Sequence, residues 1–497
     1  MTDSINRRNT GMKITSTKII ITAVCAALAS GIIALAITYT NPGEPSFTII
    51  DPLRDKAQIS TYRNLPQGFI HAGNFLIYRA LRATSTSALA ELALPYTSYY
   101  KSSKLSKAIA DCNSIKGGSI EAGRSVLIPH SLPSRMPDMK NRVKSPLIFT
   151  RGLYYTGSSA GNEKILDSLE KSCNAGVNTV VFDAKDVTGI VNYNSRVPEV
   201  LDLGTSEKRS IDDIDKLIRA LKAKGIYVIA RVALFRDHLL AKKSSSYAIR
   251  SRAHGGIWNE RVNEIWCDPT NKETQDYNLQ IAIELAEKGV DEIQFDYIRF
   301  PTSGDQSDAS FAWSFGQMTR ERAIEHFLAR AHQELSRRNV NVSIDVFGVI
   351  AWGHEGDIQK IGQRVSLLAK HCDVISPMLY PSHFNNNFDG YANPGDAPYY
   401  FINEGCKKFR EQAGKTAIRP WLQAFGWRVS NYNARYILEQ IRGSNDAMAA
   451  GYLFWNAGNS YDTVIDALRT MKTRIIDSKD SRSITRGTST RDSGKEL

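Results

Sequence analysis

The sequence lacks the residue patterns that mark several common kinds of site. Its nine histidines show no HxH or HExxH spacing, so neither a zinc site nor another cofactor is expected. The six cysteines are widely spaced, and the five outside the first apolar segment are an odd number, so mostly buried thiols are expected. The net charge of +12 is spread along the chain, which gives no single basic face for nucleic acid.

Short apolar runs alternate with helical segments over most of the chain. Eight runs rich in Val, Ile, Phe, Tyr or Trp indicate strands: FTRGLYY, NTVVFDAK, IYVIARVALF, EIQFDYIRF, NVSIDVFG, VISPMLYP, AIRPWLQAF and GYLFWN. Several intervening helices end on a glycine that leads into a strand, namely Gly176, Gly225, Gly289, Gly414 and Gly451. Eight such alternations predict a (β/α)8 TIM barrel from about Leu147 to Thr473. An open doubly wound sheet is the less favoured alternative, because no Gly-rich phosphate loop follows the first strand.

The segment VDEIQFDYIRFP places an acid at the end of a strand. With a period of two, Glu292, Gln294 and Asp296 share one face of this strand. A carboxylate there is costly to remove from water unless it has a partner or a use. Asp296 is therefore the first candidate for a catalytic residue.

Polar residues close most of the predicted strands. Active sites of this fold lie at the C-terminal ends of the strands, so these side chains should converge on one cleft. Acids with cations, an amide and aromatic rings are typical of a sugar site. The candidates are the acids Asp183, Asp296 and Asp345 for catalysis, and Lys185, Arg231, Gln294, Arg299, Tyr380, His383, Gln423 and Trp455 for substrate binding.

The motifs FDAKDVTG, QFDYIRFP, SIDVFG and SPMLYPSHF resemble a family of bacterial barrel domains assigned to the glycoside hydrolases, with a distant likeness to the alpha-amylase type. The resemblance covers nearly all of Leu147 to Thr473. It implies that Asp296 stands where retaining barrel glycosidases place their nucleophile. The chain departs from the amylase pattern at Gln294, where that pattern has an arginine, and at Asp345, where it has a glutamate acid/base.

Each candidate also has a purely structural interpretation. Asp296 could form an ion pair with Arg299 or Arg231, and Asp183 could be neutralised by Lys185 on the same face. Asp345 could be structural in the same way. The tryptophans near the strand ends could pack in the core or rim instead of stacking on sugars, and these are Trp421, Trp427 and Trp455.

The N-terminal part has a different character. Ile19 to Tyr39 is an uncharged run long enough to cross a bilayer as a helix, and basic residues precede it within residues 1–18. The positive-inside rule then predicts a protein anchored in the inner membrane with its body in the periplasm or outside the cell. Ala34-Leu35-Ala36 is a possible cleavage site, which would make the protein secreted. Residues 40–68 resemble a linker, and residues 477–497 are predicted to be a disordered tail.

Residues 69–132 are predicted to form a small module with a strand, two helices and a closing strand. The ending CNSIKGGSIEAGRSVLIPHSLP resembles the second half of a LysM module, a small α+β fold. That resemblance implies binding to chains that contain N-acetylglucosamine, such as peptidoglycan. A spacer that keeps the fold without binding is the alternative.

Two functions follow from these observations. The first is an envelope-anchored glycoside hydrolase that uses two carboxylates on an envelope or extracellular polysaccharide. The second is a non-catalytic glycan-binding or scaffolding protein. They differ over Asp296, because a hydrolase needs a second carboxyl group roughly 5 Å away for retention or about 6.5 to 9.5 Å away for inversion.

Overall fold

The chain forms two compact units, Met1–Arg135 and Met136–Leu497. A computed structural model describes residues 34–39, 45–50, 65–72, 75–132, 142–162, 164–313 and 318–473. The predicted basic N-terminus (residues 1–18), most of the predicted anchor and the predicted tail (477–497) lie outside the described residues.

The larger unit contains a closed barrel of eight parallel strands. In chain order, β1 pairs with β2 and so on to β8, which pairs again with β1. The predicted (β/α)8 barrel is confirmed, and the doubly wound alternative is wrong because an open sheet would leave two edges unpaired. The strands are β1 Thr150–Tyr155, β2 Thr179–Lys185, β3 Tyr227–Ala233, β4 Glu292–Asp296, β5 Asn341–Phe347, β6 Val374–Met378, β7 in two pieces, Ala417–Ile418 and Trp421–Gln423, and β8 Gly451–Trp455.

Helices cover the outside of the barrel. Their starts follow from side chains that cap free backbone N–H groups; for example, Asp213 accepts from Lys216 N and Asn271 from Thr274 N. The α-helices of this unit are Gly157–Ala160, Lys164–Asn174, Pro198–Asp202, Ile214–Ala223, His238–Lys243, Lys272–Glu287, Arg320–Ser336, Glu355–Ile361, Val365–Leu368, Pro398–Ala413, Ala434–Asp446 and a last helix over residues 462–473.

Shorter elements lie in the loops between the barrel strands and the helices. The 3-10 helices are Gly348–Trp352, Ala369–His371, Pro381–His383 and Pro394–Asp396. The short loop strands are Arg250–Ser251, Asn259–Arg261, Glu264–Ile265 and Ala309–Ser310.

Glycines join the helices to the strands as the sequence predicts. Each of the five has a positive φ, between 65° and 104°, which is the left-handed region that favours glycine. At Gly451, which begins β8, a Cβ would lie 2.0 Å from the carbonyl oxygen of Thr150 in β1. A side chain there would push apart the two strands that close the barrel.

The barrel has an apolar outer layer and a mixed interior. The main hydrophobic core lies between the strands and the helices, whereas a small cluster of large residues, including Tyr154, Tyr227 and Trp421, fills the interior. Polar residues share that interior: Glu292 contacts Arg419, and Gln294 donates to Ser376 Oγ over 3.3 Å. The pleat of β4 thus turns its polar face inward, as the period-two pattern predicts.

The described part of the smaller unit contains the elements predicted for residues 69–132. Strand Phe75–Arg79 pairs antiparallel with strand Ser125–Pro129, and helices Thr86–Ala93 and Ser102–Cys112 lie between them in sequence. The structure adds a third strand, Phe69–Ala72, which pairs antiparallel with Phe75–Arg79, where the sequence pattern predicts only one strand before the helices. The remaining elements are strands Thr84–Ser85 and Ser119–Ile120, which pair with each other, and the 3-10 helix Leu94–Tyr96. The LysM resemblance and its glycan binding stay predictions.

The predicted membrane anchor lies mostly outside the described residues. Its last six residues, Ala34–Tyr39, form a strand that pairs antiparallel with Pro45–Ile50, which lies in the predicted linker. Among the residues that the structure describes, no helix combines the length and apolarity needed to cross a bilayer.

The five cysteines outside the N-terminal segment are free thiols. Three of them are buried and two are partly buried, which agrees with the sequence-based expectation. The buried three are Cys267, Cys372 and Cys406, and the partly buried two are Cys112 and Cys173.

Candidate active site

One arginine at the C-terminal end of the barrel binds three acids from three different strands. Arg231 of β3 donates Nη1 to Asp183 Oδ1 of β2, and both Nε and Nη2 to Asp296 Oδ2 of β4, over 3.1 and 2.5 Å. Its Nε also lies 3.8 Å from Asp345 Oδ2 of β5. All four side chains are buried, so three potential negative charges share one positive charge in a poorly hydrated place.

Asp345 is the acid of the three whose ionisation is most disfavoured by its surroundings. Burial raises the pKa of Asp345 well above its usual range, and the negative charge of Asp296 raises it further. Arg231 and a hydrogen bond from Trp421 Nε1, 2.7 Å from Asp345 Oδ1, oppose that rise without cancelling it. Asp345 therefore holds a proton at a pH where an ordinary aspartate would have lost it.

Asp296 has the partners of an ionised carboxylate. One of its oxygens accepts two hydrogen bonds from Arg231, and the other accepts the main-chain N–H of Tyr297. Tyr297 has a φ of +51°, an unusual conformation for a bulky residue. It is a local strain of the kind that collects at functional sites.

Asp183 lies behind the arginine. It accepts a hydrogen bond of 2.6 Å from the hydroxyl of Tyr154 in β1, and burial raises its pKa while Arg231 lowers it. The side chain does not line the cavity described below, so its contacts fix Arg231 rather than reach a ligand.

A cavity of about 420 Å³ opens above these residues. Its volume falls within the range of roughly 300 to 1,000 Å³ that is usual for small-molecule sites. Two acids and an arginine meet aromatic rings in its wall. The lining residues are Arg231, Asp296, Tyr297, Asp345, Phe347, Gly348, Val349, Met378, Tyr380, His383, Phe384, Trp421 and Trp455.

The two acids of the cavity are close neighbours. Their Oδ2 atoms lie 3.1 Å (Asp296) and 3.8 Å (Asp345) from the same Arg231 Nε, so these two oxygens are within about 7 Å of each other. That limit is compatible with the retaining spacing of about 5 to 5.5 Å.

Lys185 does not join this site, and its predicted neutralisation of Asp183 is wrong. The register between β2 and β3 shifts after Asp183, so that Lys185 lies opposite Val232, a residue of the outer core. This bulge turns the lysine to the outside of the barrel. There it is fully buried, 2.7 Å from Asp237 Oδ2 and 2.6 Å from the carbonyl oxygen of Ala233.

Three other predicted binding residues are buried near the cavity without lining it. Gln294 lies deeper in the barrel, and Gln423 holds loops, as described below. Arg299 stacks on Phe347 and Trp266, with its guanidinium carbon 4.4 and 4.8 Å from the ring centroids. The structural ion pair of Asp296 is thus made with Arg231.

Tyr380, His383 and Trp455 do line the cavity. The ring of Tyr380 lies 5.8 Å from Trp455 and 5.2 Å from His383, measured between ring centroids. Burial raises the pKa of Tyr380, and the nearby charges of Asp345 and Asp296 raise it further. Its hydroxyl therefore stays protonated and can donate a hydrogen bond in the cavity.

Sequence reasoning missed several residues of the site. The strand pattern includes Tyr154 without marking it as a site residue, although its hydroxyl donates to Asp183 and its ring stacks on Trp455 with centroids 6.2 Å apart. The sequence favours a packing role for Trp421, but its Nε1 is a direct partner of Asp345. Both lie on inward-facing positions of their strands, and the period-two pattern used for β4 could have found them.

The barrel unit matches a known protein family. Residues 152–461 match the family described as "Putative glycosyl hydrolase domain", which covers more than half of the chain. The prediction of an enzyme of the glycoside hydrolase class is confirmed by this match. No curated protein matches the chain.

Among solved structures, a hypothetical protein from Ruminiclostridium thermocellum is 36% identical, with 39% of this chain and 97% of that chain covered and a TM-score of 0.35. The glycoside hydrolase domain of PgaB (BpsB) from Bordetella bronchiseptica is 14% identical, with 64% and 98% covered and a TM-score of 0.49. The spore cortex-lytic enzyme SleL from Bacillus megaterium is 12% identical, with 73% and 80% covered and a TM-score of 0.40.

Proposed function

Because the chain belongs to this family of glycosyl hydrolase domains, we propose that its barrel hydrolyses a glycosidic bond in an N-acetylglucosamine-containing chain of the cell envelope, with retention of configuration. The observation that carries the proposal is the pair of Asp296 and Asp345, which face one cavity, with the pKa of Asp345 raised well above its usual range by burial and by the charge of Asp296. Retaining glycosidases use one ionised and one protonated carboxyl group about 5 to 5.5 Å apart, a spacing that the limit of about 7 Å between the two Oδ2 atoms allows.

In the first step, the carboxylate of Asp296 attacks the anomeric carbon while the carboxylic acid of Asp345 gives its proton to the glycosidic oxygen. The bond between that oxygen and the anomeric carbon breaks, and a glycosyl ester of Asp296 forms. Arg231 and the N–H of Tyr297 hold the attacking carboxylate in place. Because Asp345 is then ionised, its negative charge is stabilised by Arg231 and Trp421.

In the second step, the ionised Asp345 takes a proton from a water molecule whose oxygen attacks the anomeric carbon. The ester bond to Asp296 breaks, and both acids return to their starting states. The aromatic wall made by Tyr380 and Trp455 suits the apolar face of a pyranose ring.

The test is the fate of a defined substrate. We expect the full-length protein to cut the β-1,4-linked N-acetylglucosamine hexasaccharide and peptidoglycan sacculi, and proton NMR should detect the retained anomer first. An inverted first product would contradict the assignment of Asp296 as nucleophile. If the protein binds the hexasaccharide and never cuts it, the non-catalytic glycan-binding alternative takes its place.

We further propose that residues 19–39 anchor the protein in the inner membrane and that residues 69–132 hold it against the glycan. The basic residues before the apolar run and the LysM resemblance support these two roles. Tethering raises the local concentration of a polymer without changing the chemistry. Deletion of residues 69–132 should therefore weaken cleavage of insoluble sacculi and leave the hexasaccharide cleaved at the same rate. Equal losses on both would make the module a structural support of the barrel.

A further inference from the structure

We infer that Trp427, in the loop after β7, forms a second sugar-binding position outside the cavity, so that the enzyme acts on glycan chains longer than the cavity holds. This inference rests on the proposed function, because it assigns the position to a pyranose unit of the same substrate chain.

Trp427 stands apart from the other tryptophans. The structure describes all seven, and Trp427 is the one with an exposed side chain, at 56%. The other six are buried or partly buried, including Trp421 and Trp455 beside the cavity. An exposed indole ring presents a flat apolar face on which a partner molecule can pack.

The loop that carries Trp427 is fixed, so the exposure of the ring does not come from a loose segment. The side chain of the fully buried Gln423 donates to the carbonyl oxygens of Phe425, over 2.9 Å, and Trp427, over 3.4 Å. The same side chain accepts the N–H of Ser382, from the loop after β6, over 3.1 Å. Gln423 thereby fastens both loops to one point.

The next residue secures the loop a second time. Arg428 has a φ of +52° and donates to the carbonyl oxygen of Ser382 over 2.9 Å, and to Asn386 Oδ1. Gly395 packs so closely on the carbonyl of Arg428 that a Cβ there would lie 2.0 Å from its oxygen. A ring held in this way loses little further conformational freedom when a sugar stacks on it.

The position of Trp427 is continuous with the cavity. His383 lines the cavity, and the centroid of its ring lies 5.3 Å from that of Trp427. Phe425, from the same loop, contacts both His383 and the cavity residue Trp455, with centroids 5.8 and 5.5 Å apart. A row of aromatic rings therefore runs from the cavity wall to the exposed indole.

The chemistry of this row suits a carbohydrate chain. The face of a pyranose carries C–H groups that pack on an aromatic ring, while its hydroxyl groups stay in water. The guanidinium of Arg428 lies 5.3 Å from the centroid of Trp427, where it also helps to hold the ring. A sugar on Trp427 would follow the unit that packs on the aromatic wall of Tyr380 and Trp455.

The experiment compares Trp427→Ala with the unsubstituted full-length protein on two N-acetylglucosamine oligomers, a hexasaccharide and a disaccharide. Loss of one aromatic stacking contact should lower kcat/KM on the hexasaccharide by roughly threefold to tenfold, mainly through KM. Cleavage of the disaccharide should be unchanged, since it fills only the cavity. Trp427→Phe, which keeps a ring, should retain most of the activity on the hexasaccharide.

Met448→Ala is the matched control, because this exposed apolar residue precedes β8 at the opposite end of the barrel. It should leave both substrates unaffected. Equal rates for Trp427→Ala and the unsubstituted protein, or an equal loss on the two oligomers, would overturn the inference and leave the proposed function intact. If the unsubstituted protein cuts neither oligomer, the proposed function fails and the inference fails with it.

Discussion

The two ends of β4 carry acids on the same inward face, yet one acid lies deep in the barrel and the other lies at the cavity. Glu292 begins the strand and lies deep in the barrel, whereas Asp296 ends it at the cavity. Both are buried, and each touches a buried arginine. Burial and pairing alone therefore do not distinguish a catalytic acid from a structural one.

At the deep end, one arginine balances the charge of one acid. Arg419 donates two hydrogen bonds to Glu292, Tyr227 donates a third over 3.0 Å, and Asn341 donates in turn to the hydroxyl of Tyr227 over 2.8 Å. One acid meets one arginine in a fully occluded place. This is the arrangement of a structural ion pair.

At the cavity end, charge is out of balance. Three acids share Arg231, and two of them face open space. Burial and the neighbouring charge of Asp296 raise the pKa of Asp345 well above its usual range, so this acid keeps a proton more readily than an ordinary aspartate. The excess of acid over base beside a cavity, rather than a buried charge as such, marks the functional end of the strand.

The sharpest test of this comparison replaces the two acids separately. Asp296→Asn should lower kcat by about a thousandfold or more, because the nucleophile is lost while the shape is kept. Glu292→Gln should leave kcat within a few-fold and lower the free energy of unfolding instead. Turnover of the hexasaccharide and urea unfolding measure the two effects. Comparable losses of turnover in both variants would contradict the assignment of Asp296 as catalytic and Glu292 as structural.

Asp345→Asn should lower kcat by roughly a hundredfold to ten-thousandfold, the usual contribution of a general acid. In the unsubstituted protein, activity should fall as the pH rises through the raised pKa of Asp345, because the acid must be protonated to act. That basic limb should disappear in Asp345→Asn. If it persists there and disappears in Asp183→Asn, the role of acid belongs to Asp183.

Arg419→Met should reduce the free energy of unfolding of the barrel by about 3 to 5 kcal/mol, because it leaves the charge of Glu292 buried without its partner. Urea unfolding followed by tryptophan fluorescence would measure this loss. The double variant Glu292→Leu with Arg419→Met removes both charges and should recover most of the stability. A double variant as unstable as the single one would mean that packing, not charge, causes the loss.

The smallest expected effect concerns Trp421→Phe. This change removes the hydrogen bond that lowers the pKa of Asp345, so that pKa should rise. The basic limb of the pH–activity profile should then move to higher pH by about one unit or less. Trp455→Phe is the control, since Trp455 lines the same cavity and makes no hydrogen bond to Asp345. A shift toward lower pH in Trp421→Phe would contradict the assignment.

The pattern of residues predicted the barrel because its cues are local. All eight strands lie in the apolar runs, and the glycines at the helix ends adopt the left-handed conformation that this residue type tolerates. The inward face of β4 also followed from period two. Once eight parallel strands close, their C-terminal ends must meet, so several of the side chains brought together around the cavity were among the sequence candidates.

The pattern could not give the direction of Lys185 or the role of Gln423. A single extra residue in β2 reverses the face of every later side chain, and bulges leave no clear mark in sequence. Gln423 looks like a ligand-binding amide because it closes a strand. Its partners are instead carbonyls and an N–H of two loops that are remote in sequence.

The sequence by itself determined which residues form strands and helices, that they alternate eight times, and that acids close three of the strands. These properties depend on backbone preferences and on the pleat, both of which act over a few residues. Only the tertiary structure decided that Arg231 serves all three acids, that Asp345 retains its proton and that Trp427 remains exposed. Electrostatic coupling and solvent exposure depend on distances between strands, which no local pattern contains.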